Sequence, residues 1–146
     1  MDKILTIAIP TFNRWDQLTS TLNSLFELGF YSNCNIIVID NSSEKDYSES
    51  LPEYLCRPEC ISFYRNSVNR GLSANIIKCF DLSRTEWIWI LSDDDKVLLD
   101  STAVLNSLKD YDYINFSSHL FARSGSYTGF GLNEFVNSLD SYSNVL

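Results

Sequence analysis

Three adjacent carboxylates, Asp93-Asp94-Asp95, follow directly on the apolar run Trp87-Ile88-Trp89-Ile90-Leu91 and Ser92. Like charges this close repel: two unit charges 4 Å apart cost about 4 kcal/mol at an effective dielectric of ~20. Two things relieve that cost. A solvated turn capping the next helix does so, and so does a hard divalent cation such as Mg²⁺ or Mn²⁺, which takes carboxylate oxygens together with substrate phosphates. An EF-hand is excluded, because the sixth position from Asp93 is Leu98 and the twelfth is Val104. Two more polar clusters end apolar runs: Pro10-Thr11-Phe12-Asn13-Arg14 after residues 4–9, and Asp40-Asn41-Ser42-Ser43 after Ile36-Ile37-Val38-Ile39. Asp40 is either turn chemistry or an acceptor for a base or ribose. A fourth segment, Asn69-Arg70-Gly71-Leu72-Ser73-Ala74-Asn75, opens a helix, with Gly71 for close backbone approach and Arg70 as a fixed cation suited to phosphate. Arg14 has the same two readings, exposed cation or phosphate contact. The chain contains neither G-x-G-x-x-G nor G-x-x-x-x-G-K-[ST], which removes the main support for dinucleotide-fold and P-loop readings.

These clusters need elements to position them. The runs at 4–9, 36–39, 61–64 and 87–91 predict strands, the first two with the near-continuous apolar, β-branched character of strands buried on both faces. Between the first two, Trp15, Leu18, Leu22, Leu25 and Phe26 recur at helical spacing, with Asn13 as the expected N-cap and Gly29 as the stop. Residues 44–60 carry Pro52 and Pro58 and are expected to be irregular or partly helical. A second helix is expected to turn Leu72, Ile76, Cys79, Phe80 and Leu82 inward. A helix over about 101–109 and a fifth strand near 113–117 complete an alternating pattern, which predicts an α/β sandwich around a mostly parallel sheet flanked by helices. Beyond residue 118 the pattern weakens: 124–126 and 129–131 are expected loops, and 133–139 one short helix. In a parallel sheet the C-terminal strand ends share one edge, where open α/β sheets bind ligands.

Composition narrows the classes. The 146 residues are 45% apolar and 21% charged, with 11 basic and 19 acidic side chains, a net charge of −8. That is the composition of a folded domain, and its acidity argues against nucleic acid as partner. No apolar run approaches the ~20 residues of a membrane span, so no transmembrane segment is expected, and the first residues lack a signal-peptide pattern. Residues 1–75 carry 6 basic and 9 acidic side chains and residues 76–146 carry 5 and 10, so the second half is the more acidic. Cys34, Cys56, Cys60 and Cys79, spaced C-x21-C-x3-C-x18-C, fit no common zinc pattern, the one histidine is His119, and free thiols are expected.

The four motifs, in this order and each after the expected element, resemble the family 2 glycosyltransferases, over about residues 3–118. The resemblance implies a GT-A (Rossmann-like) sandwich, incomplete at its C-terminal side, with residues 1–118 as the nucleotide-diphospho-sugar-binding subdomain and 119–146 as the start of the acceptor-side region. It implies that Pro10, Thr11, Phe12, Asn13 and Arg14 line the base and ribose pocket. Asp40 would bind the base beside Asn41. Asn69, Arg70, Gly71 and Asn75 would border the nucleotide and its diphosphate. Asp93-Asp94-Asp95 would be a D-x-D-type motif, Asp93 near the ribose and Asp94, then Asp95, as ligands of Mn²⁺ or Mg²⁺. The family often has Asp where this chain has Ser92. The implied activity is inverting transfer from a nucleotide-diphosphate sugar to a hydroxyl of a saccharide or lipid-linked acceptor, in surface polysaccharide or glycolipid synthesis. The implied setting is cytoplasmic, with attachment at the inner membrane face and homo-oligomers left open. No residue is assigned as catalytic base: Glu134 and Asp140 lie in the right direction without a supporting motif. The rival reading is a non-catalytic module that binds nucleotide sugar or a partner. A sugar nucleotidyltransferase is disfavoured, because the first turn lacks a glycine-rich signature.

Overall fold

A computed structural model describes residues 3–47, 51–55, 59–110, 113–116 and 127–130. It divides into two compact units, residues 1–102 and 103–146.

The first unit holds four strands, β1 (Leu5–Thr11), β2 (Asn35–Asp40), β3 (Ile61–Arg65) and β4 (Trp87–Ile90), in a sheet of order β3-β2-β1-β4 with every pair parallel. The central strands are the two with the most continuous β-branched runs. In β1, Leu5, Ile7, Ala8 and Ile9 are at most 1% exposed, and β2 is buried from Ile36 onward. The edge strands are less covered: β3 is buried only at Ile61 and β4 is intermediate throughout. Thr6, buried in β1, is satisfied by a hydroxyl–hydroxyl bond to Thr85 at 2.7 Å.

Helix α1 (Trp15–Glu27) buries Leu18, Thr21, Leu22 and Leu25 at i, i+3, i+4 and i+7. Asn13 is not its cap, contrary to expectation. Arg14 occupies that position, and Asn13 takes a left-handed φ of 54°, which Asn tolerates. Its side chain instead accepts from the Glu44 N–H at 2.9 Å. Gly29 ends the helix as expected, at φ 80°, and leads into a single turn, α2 (Phe30–Asn33). The polar connection between β2 and β3 contains one 3₁₀ turn, Glu53–Leu55.

Helix α3 (Leu72–Leu82) covers one face of the sheet, where Cys79 packs with Ala8, Ile37 and Ile39, flanked by Leu82, Ile88 and Ile90. Its expected inner face is corrected. Leu72 and Phe80 are 69% and 55% exposed, and the buried residues are Asn75 and Cys79. Burying Asn75 is tolerated because its Nδ2 donates to the Ile39 carbonyl at 2.9 Å, leaving no orphaned amide.

Helix α4 (Ser101–Ser107) continues as a 3₁₀ turn, Leu108–Asp110, so the expected helix over 101–109 is tightened at its end. In the second unit β5 (Tyr113–Phe116) pairs antiparallel with β6 (Tyr127–Phe130) in a separate two-stranded sheet. The fifth strand therefore exists but does not extend the parallel sheet, and Gly129 and Phe130, expected in a loop, lie in β6. The expected loop at 124–126, the helix at 133–139, His119, Glu134 and Asp140 fall outside the described residues. Cys34, Cys60 and Cys79 are free thiols. Cys56 is also outside the described residues.

Candidate active site

The parallel registers bring three strand ends to one edge. Thr11 of β1 stands opposite Asp40 of β2, the Asn41 N–H donates to the Thr11 carbonyl at 2.9 Å, and the Leu91 N–H extends β4 onto Ala8 at 3.0 Å. A cleft of about 580 Å³ opens there, lined by Pro10, Thr11, Phe12, Arg14, Asn41, Asn69, Gly71, Leu72, Asn75, Ile76, Ile90, Ser92, Asp93 and Asp95. Ten of the fourteen residues singled out from the sequence are among these. Leu72, Ile76, Ile90 and Ser92 are additions, three of them apolar, as a ligand cleft requires.

The acidic loop is tied to β1 and α1. Asp93 is 4% exposed. Its Oδ2 accepts the Thr11 hydroxyl at 2.7 Å, its Oδ1 accepts Arg14 Nη1 at 3.3 Å, and its backbone carbonyl accepts the Thr21 hydroxyl at 2.9 Å. Burial pushes the Asp93 carboxyl above the ordinary range, while Thr11 and Arg14 pull it back. Asp94 is exposed. Its Oδ1 accepts the Ser92 hydroxyl and its Oδ2 accepts the same Arg14 nitrogen. Those donors, Ser92 first, hold the Asp94 carboxyl below its usual value. The guanidinium of Arg14 is raised in turn, chiefly by its bond to Asp94. Asp95 closes a turn, its N–H donating to the Ser92 carbonyl and its Oδ2 accepting the Ser92 N–H, both at 3.2 Å.

Asn41, Asn66, Asn69 and Asn75 form a continuous amide network opposite. Asn66 Nδ2 donates to Asn41 Oδ1 at 2.9 Å and to Asn75 Oδ1 at 3.0 Å, and Asn66 Oδ1 accepts Lys78 Nζ at 2.6 Å. Asn41 in turn accepts from the Arg70 N–H at 3.0 Å and donates to Asn69 Oδ1 at 2.8 Å and the Gly71 carbonyl at 3.2 Å. The loop before α3 is thereby fixed to the end of β2. Gly71 holds φ 80°, ψ 166°, a region open essentially to glycine alone. Asn66 and Lys78 were missed from sequence. A lone Asn after β3 carries no motif, and only the fold places it among the other amides.

Asp40 stands elsewhere. It is 5% exposed, its carboxylate accepts the Ser43 N–H and hydroxyl, and Arg65 Nε lies 3.6 Å away. With Asp46, Tyr47, Phe63, Tyr64 and Arg65 it lines a separate pocket of about 70 Å³. Asn13, Arg70 and Asp94 also lie outside the cleft lining. Asn13 latches the first loop to the second, through its N–H on Ser43 Oγ at 2.8 Å.

The acidic loop fits a divalent ion in one sense. Asp94 and Asp95 supply hard oxygen donors, and Asp94 is deprotonated at neutral pH. Among the described residues, however, no group of three His, Cys, Asp or Glu side chains gathers around one point. A cation here would take one or two carboxylates and complete its shell from substrate oxygens and water.

A parallel α/β sheet flanked by helices, with its strand ends and an acidic loop framing a polar cleft, is the fold of this chain, and its solved relatives have the GT-A fold. One is TarS 1-349 of S. aureus in complex with UDP, which aligns with a TM-score of 0.62 at 19% identity, covering 75% of this chain and 32% of that one. Another is the mannosyltransferase PcManGT of Pyrobaculum calidifontis in complex with GDP-Man and Mn²⁺, with a TM-score of 0.54 at 17% identity over 64% of this chain and 28% of that one. The family model described as Glycosyl transferase family 2 matches residues 6–142, and the chain belongs to that family. Abequosyltransferase RfbV of Salmonella typhimurium is 30% identical over 109 residues, 73% of this chain and 33% of that protein. The chain thus spans about a third of the length of the curated relatives it matches.

Proposed function

We propose that this chain is the donor-binding part of an inverting glycosyltransferase that moves a sugar from a nucleotide-diphosphate sugar to an acceptor hydroxyl, in surface polysaccharide or glycolipid synthesis. The observation that carries the reading is the convergence of the β1, β2 and β4 ends on one cleft, with Arg14 and Asp93 on one side and the Asn69–Gly71 loop on the other. The solved relatives with UDP and with GDP-Man and Mn²⁺ support it. In this reading the Phe12 ring, 41% exposed at the cleft, offers a face to the base or ribose. Asn41 serves the base side from the cleft, and Asp40 would bind the base from the separate pocket that it lines beside the same strand end. Asn69, Arg70, Gly71 and Asn75 border the nucleotide and its diphosphate, with the Arg70 guanidinium as the candidate phosphate contact and the α3 N-terminus, which has no side-chain cap, facing the same way. Asp93, fixed by Thr11, faces the ribose. Asp94 and Asp95 hold Mn²⁺ or Mg²⁺, which when bound neutralises charge on the leaving diphosphate. Residues 1–118 form the donor-binding subdomain, and 119–146 begin the acceptor side.

The alternative, a module that binds nucleotide sugar or a partner without transfer, draws its support from one fact: no described residue is placed as a base. No described helix is long and apolar enough to cross a membrane, which is compatible with the cytoplasmic setting proposed here. Calorimetry of the chain with UDP, dTDP and GDP, with and without Mn²⁺, tests the donor-binding reading. Binding of at least one, dependent on the metal and weakened in Asp94→Ala, is expected; no binding in any combination refutes it. A transfer or donor-hydrolysis assay separates enzyme from module.

A further inference from the structure

The Arg14 side chain is placed where two negative groups meet. One nitrogen, Nη1, bonds both Asp93 Oδ1 and Asp94 Oδ2. The other oxygens of the two carboxylates are engaged as well, Asp93 Oδ2 by Thr11 and Asp94 Oδ1 by Ser92. A divalent ion on Asp94 would therefore share its carboxylate with Arg14 and Ser92. A guanidinium and a divalent cation on one carboxylate repel, so each weakens the binding of the other until further negative charge arrives. The backbone of Arg14 is fixed independently of its side chain: its N–H donates to Tyr47 Oη at 2.8 Å, and its carbonyl accepts the Leu18 N–H at 2.9 Å at the start of α1. Tyr47 is itself buried and packed on Trp15, with ring centroids 5.2 Å apart. The Arg14 side chain is 48% exposed and lines the cleft, so it has room to swing.

We propose that Arg14 is a built-in counter-cation of the acidic loop that exchanges places with the divalent ion, passing from Asp93 and Asp94 to the diphosphate when nucleotide and metal arrive together. This rests on the donor-binding reading above and adds that metal and nucleotide bind with positive linkage, enforced by one side chain. A guanidinium suits both stations, since its planar donors match carboxylate and phosphate alike. The exchange makes the loop a poor site for metal alone and a good one for metal with diphosphate.

The test uses the full chain and compares wild type with Arg14→Gln and Arg14→Lys. Mn²⁺ binding without nucleotide is measured by calorimetry and by the electron paramagnetic resonance signal of the free ion. UDP, dTDP and GDP binding is measured at saturating Mn²⁺. Arg14→Gln is expected to bind Mn²⁺ alone about two- to fivefold more tightly, and to bind the nucleoside diphosphate more weakly than wild type. Opposite signs are the signature, because a merely structural role for Arg14 would weaken both. Arg14→Lys, which keeps a point charge without the fork, is expected between the two. Unchanged or weaker Mn²⁺ binding in Arg14→Gln overturns the exchange, and tighter Mn²⁺ binding with unchanged nucleotide affinity overturns the transfer to diphosphate. If wild type binds no nucleoside diphosphate at all, the donor-binding reading falls, while the Mn²⁺ comparison still decides whether Arg14 guards the carboxylates.

Discussion

The hydroxyl of Thr11 donates to Asp93 Oδ2 at 2.7 Å, a buried bond between residues 82 positions apart in the chain. It joins the end of the central strand to the first acid of the triplet, so the acidic loop is positioned by the sheet itself. Thr11→Val keeps the shape and removes the donor. Leaving one oxygen of a buried carboxylate unpartnered is expected to cost about 1–2 kcal/mol, read as a lower urea midpoint. Nucleoside-diphosphate affinity is expected to fall in the same variant.

Asn66→Asp reverses the sense of the amide network. Both donor bonds to Asn41 and Asn75 disappear, and a carboxylate then faces two carbonyl oxygens, with only Lys78 retained as partner. A loss of roughly 2–4 kcal/mol is expected from the two broken bonds and the repulsion. Hydrogen exchange gives a local readout: the Arg70 amide, now bonded to Asn41 Oδ1, is expected to exchange faster in the variant.

The two glycines at left-handed φ separate stability from binding. At Gly29 an added Cβ would lie 3.2 Å from Ser101 Oγ, which is itself held by Asn33 Nδ2 at 2.8 Å. Gly29→Ala is expected to lower stability by about 1–2 kcal/mol, with nucleotide affinity unchanged. Gly71 has open space around the same added atom but sits in backbone territory that alanine avoids. Gly71→Ala is therefore expected to cost about 1–3 kcal/mol and, by resetting the loop, to weaken nucleotide binding as well.

Burial raises the Cys34 and Cys79 thiols from 9.0 to about 11. A folded-state value above the unfolded one means that the folded chain holds its protons longer. The stability these thiols contribute is thus fully present below pH ~9 and is lost as pH rises toward ~11. Melting temperature is expected to decline over that window, and the decline to be shallower in Cys79→Ala, whose melting temperature is lower throughout because of the cavity. Site-resolved thiol labelling at pH 8 should modify Cys60, which is only partly buried, ahead of Cys34 and Cys79.

The central strands were legible because burial on both faces leaves a β-branched signature, and α1 because its buried residues keep helical spacing. The convergence of Thr11, Asn41 and Asp93 followed from one topological fact, that parallel strands end on the same edge. The inner face of α3 was misread by about one residue of rotation. Hydropathy pointed to Leu72 and Phe80, whereas Asn75 is the residue turned inward, and a buried amide is invisible to a hydrophobic pattern until its partner carbonyl on Ile39 is known. Asn13 misled for a related reason: the side chain that makes Asn a good cap also lets it bridge to Glu44, and the left-handed backbone at that point decides between the two. The antiparallel pairing of β5 with β6 depends on a partner strand whose glycine-containing sequence looks like a loop.

The amide network also divides the cleft by kind of response. The group that holds the Asn69–Gly71 loop consists of asparagine side chains and backbone, which neither titrate near neutrality nor weaken much with salt, with Lys78 the one charge at its back. The group that holds the acidic loop is ionic, with a cation shared between two carboxylates. Changes of ionic strength will therefore be felt more on the acidic wall than on the other, so that the environment can tune the acidic loop while the loop before α3 keeps its shape.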